Sequence, residues 1–134
     1  MGPDDLRPLM SVRPGLFDNP LDREQARAFL NDPKNWLVLA YDGSNAVGMA
    51  SATILLHPDK QPALFVNEVG VRDSHQRRGI GKLVSQALID RARAEGVKGV
   101  WLGTETDNVA ARALYRSLGG EEVLGVFYGW DEAF

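Results

Sequence analysis

A chain of 134 residues holds one domain comfortably and two ordinary ones not at all, and its 44% hydrophobic and 25% charged content is that of a packed globular protein. It has no cysteine, which excludes disulfides, thiolate–zinc sites and a cysteine nucleophile, and its two histidines, His57 and His75, are too few and too far apart in sequence for a metal cage. A formal net charge of −3, no apolar run near the roughly 18 residues of a membrane helix and no signal pattern in residues 1–5 together predict a cytoplasmic protein with neither a nucleic-acid nor a membrane partner.

The elements follow in chain order. Asp4 or Asp5 caps a short helix through Leu9 and Met10, and Pro14, Gly15, Asn19 and Pro20 then break the chain. Residues 22–30 read as a second helix with Leu21, Ala26, Phe29 and Leu30 on one side, stopped before Pro33. Three strands come next: residues 36–41 up to the turn Asp42-Gly43, residues 46–56 up to His57-Pro58-Asp59, and residues 63–71. Gly70 inside the third strand predicts a bulge or a close backbone approach.

The period then changes. Ile80, Leu83, Val84, Ala87 and Leu88 define one face of a helix that Gly96 ends. Residues 97–103 form a strand around Val100, Trp101 and Leu102. Asn108 caps a further helix to Leu118, with Ala110, Ala113, Leu114 and Leu118 as its core stripe and Gly119-Gly120 as its stop. Residues 123–124 and 126–130 read as a terminal hairpin about Gly125. Short links make the first three strands antiparallel, whereas the strand ending at Val71 and the one at Val100 are joined by a helix and so form a parallel pair with a right-handed crossover. The expectation is a single α/β domain, residues 1–134, with a mixed sheet and helices on both faces.

The segment between the third strand and the long helix carries the clearest chemistry. It reads Arg72-Asp73-Ser74-His75-Gln76-Arg77-Arg78-Gly79-Ile80-Gly81-Lys82. Glycines at 79 and 81 permit unusual backbone angles and let backbone N–H groups converge on an anion. The first helical turn adds unpaired donors and the positive end of the helix dipole, and Arg77, Arg78 and Lys82 add mobile charge. A pyrophosphate matches this site. The mononucleotide loop does not match, because Gln76 stands for its first glycine and Leu83 for its hydroxyl residue; the dinucleotide fingerprint does not match, because Val84 stands for its third glycine.

What does match is the Gln/Arg-x-x-Gly-x-Gly/Ala signature of the GNAT acetyltransferase superfamily, and residues 69–82 resemble that family's cofactor strand, loop and helix in order. Residues 108–120 resemble the family's later Asn-x-x-Ala-x-x-x-Tyr-x-x-x-Gly helix, with Asn108, Ala111 and Tyr115 on one helical face. The resemblance runs from Trp36 to Trp130. It departs at the N-terminus, where the family's first strand is either missing or supplied by residues near Leu9 to Val12. Residues 68–131, with their aromatic-Gly-Trp-Asp tail, also resemble the aminoglycoside 3-N-acetyltransferase-like branch.

The resemblance implies a GNAT-like fold, its parallel strand pair splayed around acetyl-CoA, and direct transfer of an acetyl group to a primary amine in a ternary complex without a metal. It implies that Val69, Gly70, Val71, Gln76, Arg77, Arg78, Gly79, Ile80, Gly81, Lys82, Asn108, Ala111 and Tyr115 hold the cofactor, the backbone of Val69 and Val71 bonding its pantetheine arm past a bulge near Gly70. Glu68, on the same strand, is the expected general base, acting through water, ahead of Asp73 and His75. Tyr115, a phenol with a reference pKa near 10, would protonate the departing thiolate. The expected acceptor is an amine-bearing small molecule, with a protein or peptide N-terminus as alternative; the rival from another class is a coenzyme A-binding module without turnover. The late acids Glu105, Asp107, Glu121, Glu122, Asp131 and Glu132 either line an acceptor cleft or form a solvated face. A monomer or a homodimer paired through the terminal hairpin fits the pattern.

Overall fold

A computed structural model describes residues 1–134, which form two compact units, Met1–Gly103 and Thr104–Phe134. The first unit is a four-stranded sheet in the order β1 (Asn35–Asp42), β2 (Asn45–Leu55), β3 (Ala63–Val71) and β4 (Gly99–Trp101). β1 pairs antiparallel with β2 and β2 with β3, while β3 pairs parallel with β4. The mixed sheet therefore has the topology that the link lengths predict. No helix in the structure is long and apolar enough to cross a membrane.

Alternation along the strands feeds two cores. On one face Trp36, Ala50, Ala52, Leu64 and Val66 meet α3 (Ile80–Ala94) through Val84, Leu88 and Ala92. On the other Leu37, Ala46 and Met49 meet Leu9 of α1 (Leu6–Met10) and Ala26 and Leu30 of α2 (Arg23–Asn31). Burying each of the larger aliphatic side chains contributes roughly 1.5–3 kcal/mol. The Arg91 guanidinium lies 4.1 Å from the Trp36 ring centroid and closes the first core from outside. Asp22 caps α2 by accepting a hydrogen bond from Gln25 N–H at 2.9 Å.

Four sequence expectations need correction here. The ladder irregularity in β3 lies at Asn67, not at Gly70: Ser51 faces Glu68 and Ala52 faces Val66, leaving Asn67 as the extra residue. The insertion lets Val66 and Val69, an odd number of residues apart, both face α3. Gly70 is instead the close approach, since a Cβ there would stand 3.3 Å from the Leu16 carbonyl oxygen. Leu83, placed on the core face of α3 by its spacing, points to solvent, and the buried row is Val84, Ser85, Leu88 and Ala92. β4 is three residues long rather than seven, and residues near Leu9 to Val12 end α1 instead of supplying a strand.

The second unit contains α4 (Val109–Ser117), capped by Asn108 and ended at Gly119, whose φ is +85°. Its half-buried residues include Ala111, Leu114, Tyr115 and Leu118; Ala110 and Ala113 are exposed, so the burial stripe is rotated from the predicted one. Arg112 and Arg116 reach forward to Glu122 at 2.7 and 2.8 Å. The expected terminal hairpin is absent: residues 120–130 have no strand, and Val123, Leu124, Val126, Phe127, Tyr128 and Trp130 are exposed.

Candidate active site

The site in the first unit is set by the way β3 outlasts its parallel neighbour. β4 pairs only with Ala63, Leu64 and Phe65, so the rest of that edge of β3 has no strand beside it. The Arg72 N–H bonds to the Val47 carbonyl at 2.9 Å, which fixes the phase of the ladder. In an antiparallel pair the N–H and C=O of one residue point the same way and those of the next point oppositely. Val69 and Val71 therefore turn their backbone groups to the open edge, where an extended ligand can pair with them. The Gln76 side chain already reaches the Val71 carbonyl at 2.7 Å, closing the loop back onto the strand.

That loop then enters α3 in a left-handed conformation. Arg77 has φ +63° and Gly79 has φ +77°, and Gly79 is the helix N-cap. The first intrahelical bond runs from Leu83 N–H to the Gly79 carbonyl at 3.0 Å, so the N–H groups of Ile80, Gly81 and Lys82 have no partner within the helix. A Cβ at Gly79 would meet nothing within 4 Å, so the cap of α3 is open. Arg77, Arg78 and Lys82 are exposed and enter none of the ion pairs. Gly48 sets the helix depth: a Cβ there would overlap Ile80 Cγ2, so the start of α3 rests directly on the β2 backbone.

On the opposite face of the sheet a cleft of about 660 Å³ opens between the segment after α1, helix α2 and strands β2 and β3. Its volume is in the range of small-molecule sites. Leu37, Met49 and Phe29 supply apolar wall, and the charged residues are Asp18, Asp22, Asp32 and Glu68, with no lysine, arginine or histidine among the lining residues. Asp22 is engaged as the cap of α2, and Asp32 holds Lys34 at 3.3 Å. Asp18 and Glu68 take part in none of the ion pairs. Glu68 stands opposite Ser51 in the ladder, and both side chains line the cleft. Partial withdrawal from water, and after it the nearby charge of Asp18, push the Glu68 carboxyl above the usual carboxylate range.

The other proton-transfer candidates are placed less favourably. Asp73 begins an exposed 3-10 turn, Asp73–His75. Both ring nitrogens of His75 are occupied, Nδ1 by Ser74 Oγ at 2.7 Å and Nε2 by Asp42 Oδ2 at 2.9 Å, tying the loop to the β1–β2 turn. In the second unit Asn108 accepts a hydrogen bond from Ala111 N–H at 3.1 Å, so the two motif positions are joined as cap and first turn, and the Asn108 amide N–H₂ is left to donate. Tyr115 follows on the same helical face, half-buried, and burial pushes its phenol above its ordinary value. Glu122 is held at about 2 by its hydrogen bonds to Arg112 and Arg116, while Glu105, Asp107, Glu121, Asp131 and Glu132 are exposed. Glu68 apart, the acids that line the cleft were not singled out by sequence; for Asp18 and Asp22 the signal available was the apolar–acidic run Phe17-Asp18-Asn19-Pro20-Leu21-Asp22.

Comparison with known proteins agrees with this architecture. The model of the acetyltransferase (GNAT) family matches residues 5–119. The N-alpha-acetyltransferase RimI of Mycobacterium tuberculosis is 41% identical over 96 residues, 70% of this chain and 57% of that protein. The L-2,4-diaminobutyric acid acetyltransferase of Shouchella clausii is 33% identical over 81 residues, 60% of this chain and 44% of that protein. The chain thus spans about half the length of these relatives. Among solved structures, an aminoglycoside acetyltransferase from an uncultured soil metagenomic sample superposes with a TM-score of 0.79 at 21% identity, covering 98% of this chain and 93% of its own.

Proposed function

Because the chain belongs to the acetyltransferase (GNAT) family, we propose that it transfers an acetyl group from acetyl-CoA to a primary amine of a small molecule, directly and within a ternary complex. The observation that carries the reading is the pairing of a strand edge at Val69 and Val71 that no neighbouring strand covers with the loop Gln76-Arg77-Arg78-Gly79-Ile80-Gly81-Lys82 at its end. The edge suits an amide-bearing arm, and the loop suits the pyrophosphate to which that arm is attached. Gly70 allows the chain to pass close to Leu16, Asn108 donates to the cofactor or its water, and Ala111 keeps that face of α4 small.

The acceptor enters from the acidic cleft. Glu68, ionised, takes the proton from the ammonium through water. The neutral nitrogen attacks the thioester carbonyl, the C–N bond forms, and a backbone N–H of the β3 edge stabilises the oxyanion. The C–S bond breaks, the thiolate takes its proton from Tyr115, whose raised pKa keeps it protonated at neutral pH, and the second proton shed by the new amide nitrogen returns through water to the phenolate. Asp18 and Glu68, engaged by neither a protein cation nor a helix cap, favour a small cationic amine over a protein N-terminus as the partner.

The test is a thiol-release assay of acetyl-CoA against a panel of small amines and short peptides, run beside calorimetric binding of acetyl-CoA. Turnover with an amine is expected. Tight cofactor binding without turnover by any member of the panel would assign the chain to non-catalytic coenzyme A-binding modules instead.

A further inference from the structure

We propose that Asp18 is a specificity-determining residue and that, with Glu68 across the cleft, it selects acceptors that carry at least two ammonium groups, a diamine, polyamine or polyamino ring. The inference deepens the acetyl-transfer reading and rests on it. Four acidic residues and no basic one line the cleft, yet Asp22 is spent on a helix cap and Asp32 on Lys34, so the free carboxylates are Asp18 and Glu68. They come from different elements: Asp18 from the exposed segment before α2, Glu68 from β3. A single ammonium delivered to Glu68 for reaction leaves Asp18 without a partner.

A second, independent feature points to a polar ligand in the same space. Ser51 is 7% exposed and lines the cleft opposite Glu68. It joins none of the side-chain hydrogen bonds of its sheet face, which run from Thr53 to Asn35 and from Asn67 to Thr53. The Ser51 hydroxyl is thus free to accept a hydrogen bond from an ammonium held beside Glu68. Leu37, Met49 and Phe29 give the carbon skeleton between the two nitrogens an apolar wall. The proximity of Asp18 to Glu68 is also visible in its charge, which helps hold the Glu68 proton. An ammonium beside each carboxylate removes that repulsion, whereas a peptide N-terminus brings one ammonium followed by neutral amides that the two carboxylates do not match.

The experiment compares matched probes: 1,4-diaminobutane against butylamine, 2-deoxystreptamine against cyclohexylamine, and a trialanine amide, each as acetyl acceptor for wild type, Asp18→Asn and Asp18→Glu. A charge-assisted contact predicts a kcat/KM for each diamine at least about tenfold above its monoamine in wild type, carried by KM. The ratio is expected to collapse towards one in Asp18→Asn and to return in Asp18→Glu. A ratio near one in wild type, a ratio that survives in Asp18→Asn, or a tripeptide that outruns both diamines would each overturn the assignment. If acetyl-CoA binds and no probe is acetylated by wild type, acetyl transfer itself is wrong and the role of Asp18 falls with it. Calorimetric acetyl-CoA binding and the thermal melt of Asp18→Asn separate a local effect from loss of fold.

Discussion

The loop after β3 and the cleft against the other face of the sheet are built from opposite charges. The loop presents Arg77, Arg78 and Lys82, exposed and free of ion pairs; the cleft presents Asp18, Asp22, Asp32 and Glu68 with no cation among them. β3 runs between the two and contributes to both, with Val69 and Val71 on the open edge and Glu68 on the cleft face. An acetyl donor carrying phosphates and an acceptor carrying ammonium groups are thereby drawn to different sides of one strand, and each field repels the ligand of the other. Selection against the wrong ligand is as much a part of such a site as attraction of the right one.

The contrast can be broken at either end. The largest effect is expected from Gly79→Trp, which fills the open cap of α3 and strains a residue at φ +77° by about 1–2 kcal/mol. Acetyl-CoA binding should vanish in calorimetry while the melt shows a still-folded protein; retained binding would place the pyrophosphate elsewhere. Next comes Tyr115→Phe, which removes the acid for the leaving thiolate. Turnover should fall by about 10²-fold or more with acetyl-CoA affinity nearly intact, read by steady-state thiol release beside calorimetry.

The smallest and most diagnostic effect concerns pH. Glu68 must be ionised to take a proton, and its pKa is raised by desolvation and then by Asp18. The acidic limb of kcat/KM should therefore lie above the usual carboxylate range, and Asp18→Asn should move it to lower pH. For stability the sign is the reverse of the common carboxylate case. The folded state binds the Glu68 proton more tightly than the unfolded chain, so stability is gained below the raised pKa and lost as pH rises through it. At neutral pH the ionised side chain is unfavourable to the fold, and Glu68→Gln should melt no lower than wild type while losing turnover. A lower melt in Glu68→Gln would mean that a partner holds the carboxylate.

The two regions were not equally legible in the sequence. The loop is a local object: glycine spacing, basic residues and the onset of a 3.6-residue period sit within a dozen positions, and β3 and the start of α3 have their predicted bounds. The helix caps Asp22 and Asn108 were readable for the same reason. The cleft is non-local. Asp18, Ser51 and Glu68 are brought together by antiparallel pairing and by packing of α2 on the sheet, and no spacing rule reports that. Gly70, the visible anomaly, signals a bulge or a close approach, and it makes the close approach; the ladder inserts its extra residue at Asn67, a position decided by which valines reach α3. The terminal hairpin was inferred from apolar residues about Gly125; these residues are exposed, so their composition alone did not make strands. Leu83 shows the limit of period arguments: its neighbour Val84 takes the buried position against the sheet, and Leu83, one residue earlier, faces solvent.

One residue at the end of β3 has a bearing on how such a protein can be altered. Arg72 donates from Nε to the Ala46 carbonyl at 2.7 Å, from Nη1 to the Pro14 carbonyl at 2.7 Å and from Nη2 to the Arg13 carbonyl at 2.8 Å. Every one of these acceptors is backbone, so the clasp is indifferent to the side chains it holds. The exposed positions 18–20 that follow can be exchanged, lengthened or randomised while Leu16 stays in the core against Gly70 and the anchor stays put. Arg72 makes that run a cassette, and libraries aimed at new acceptors belong there.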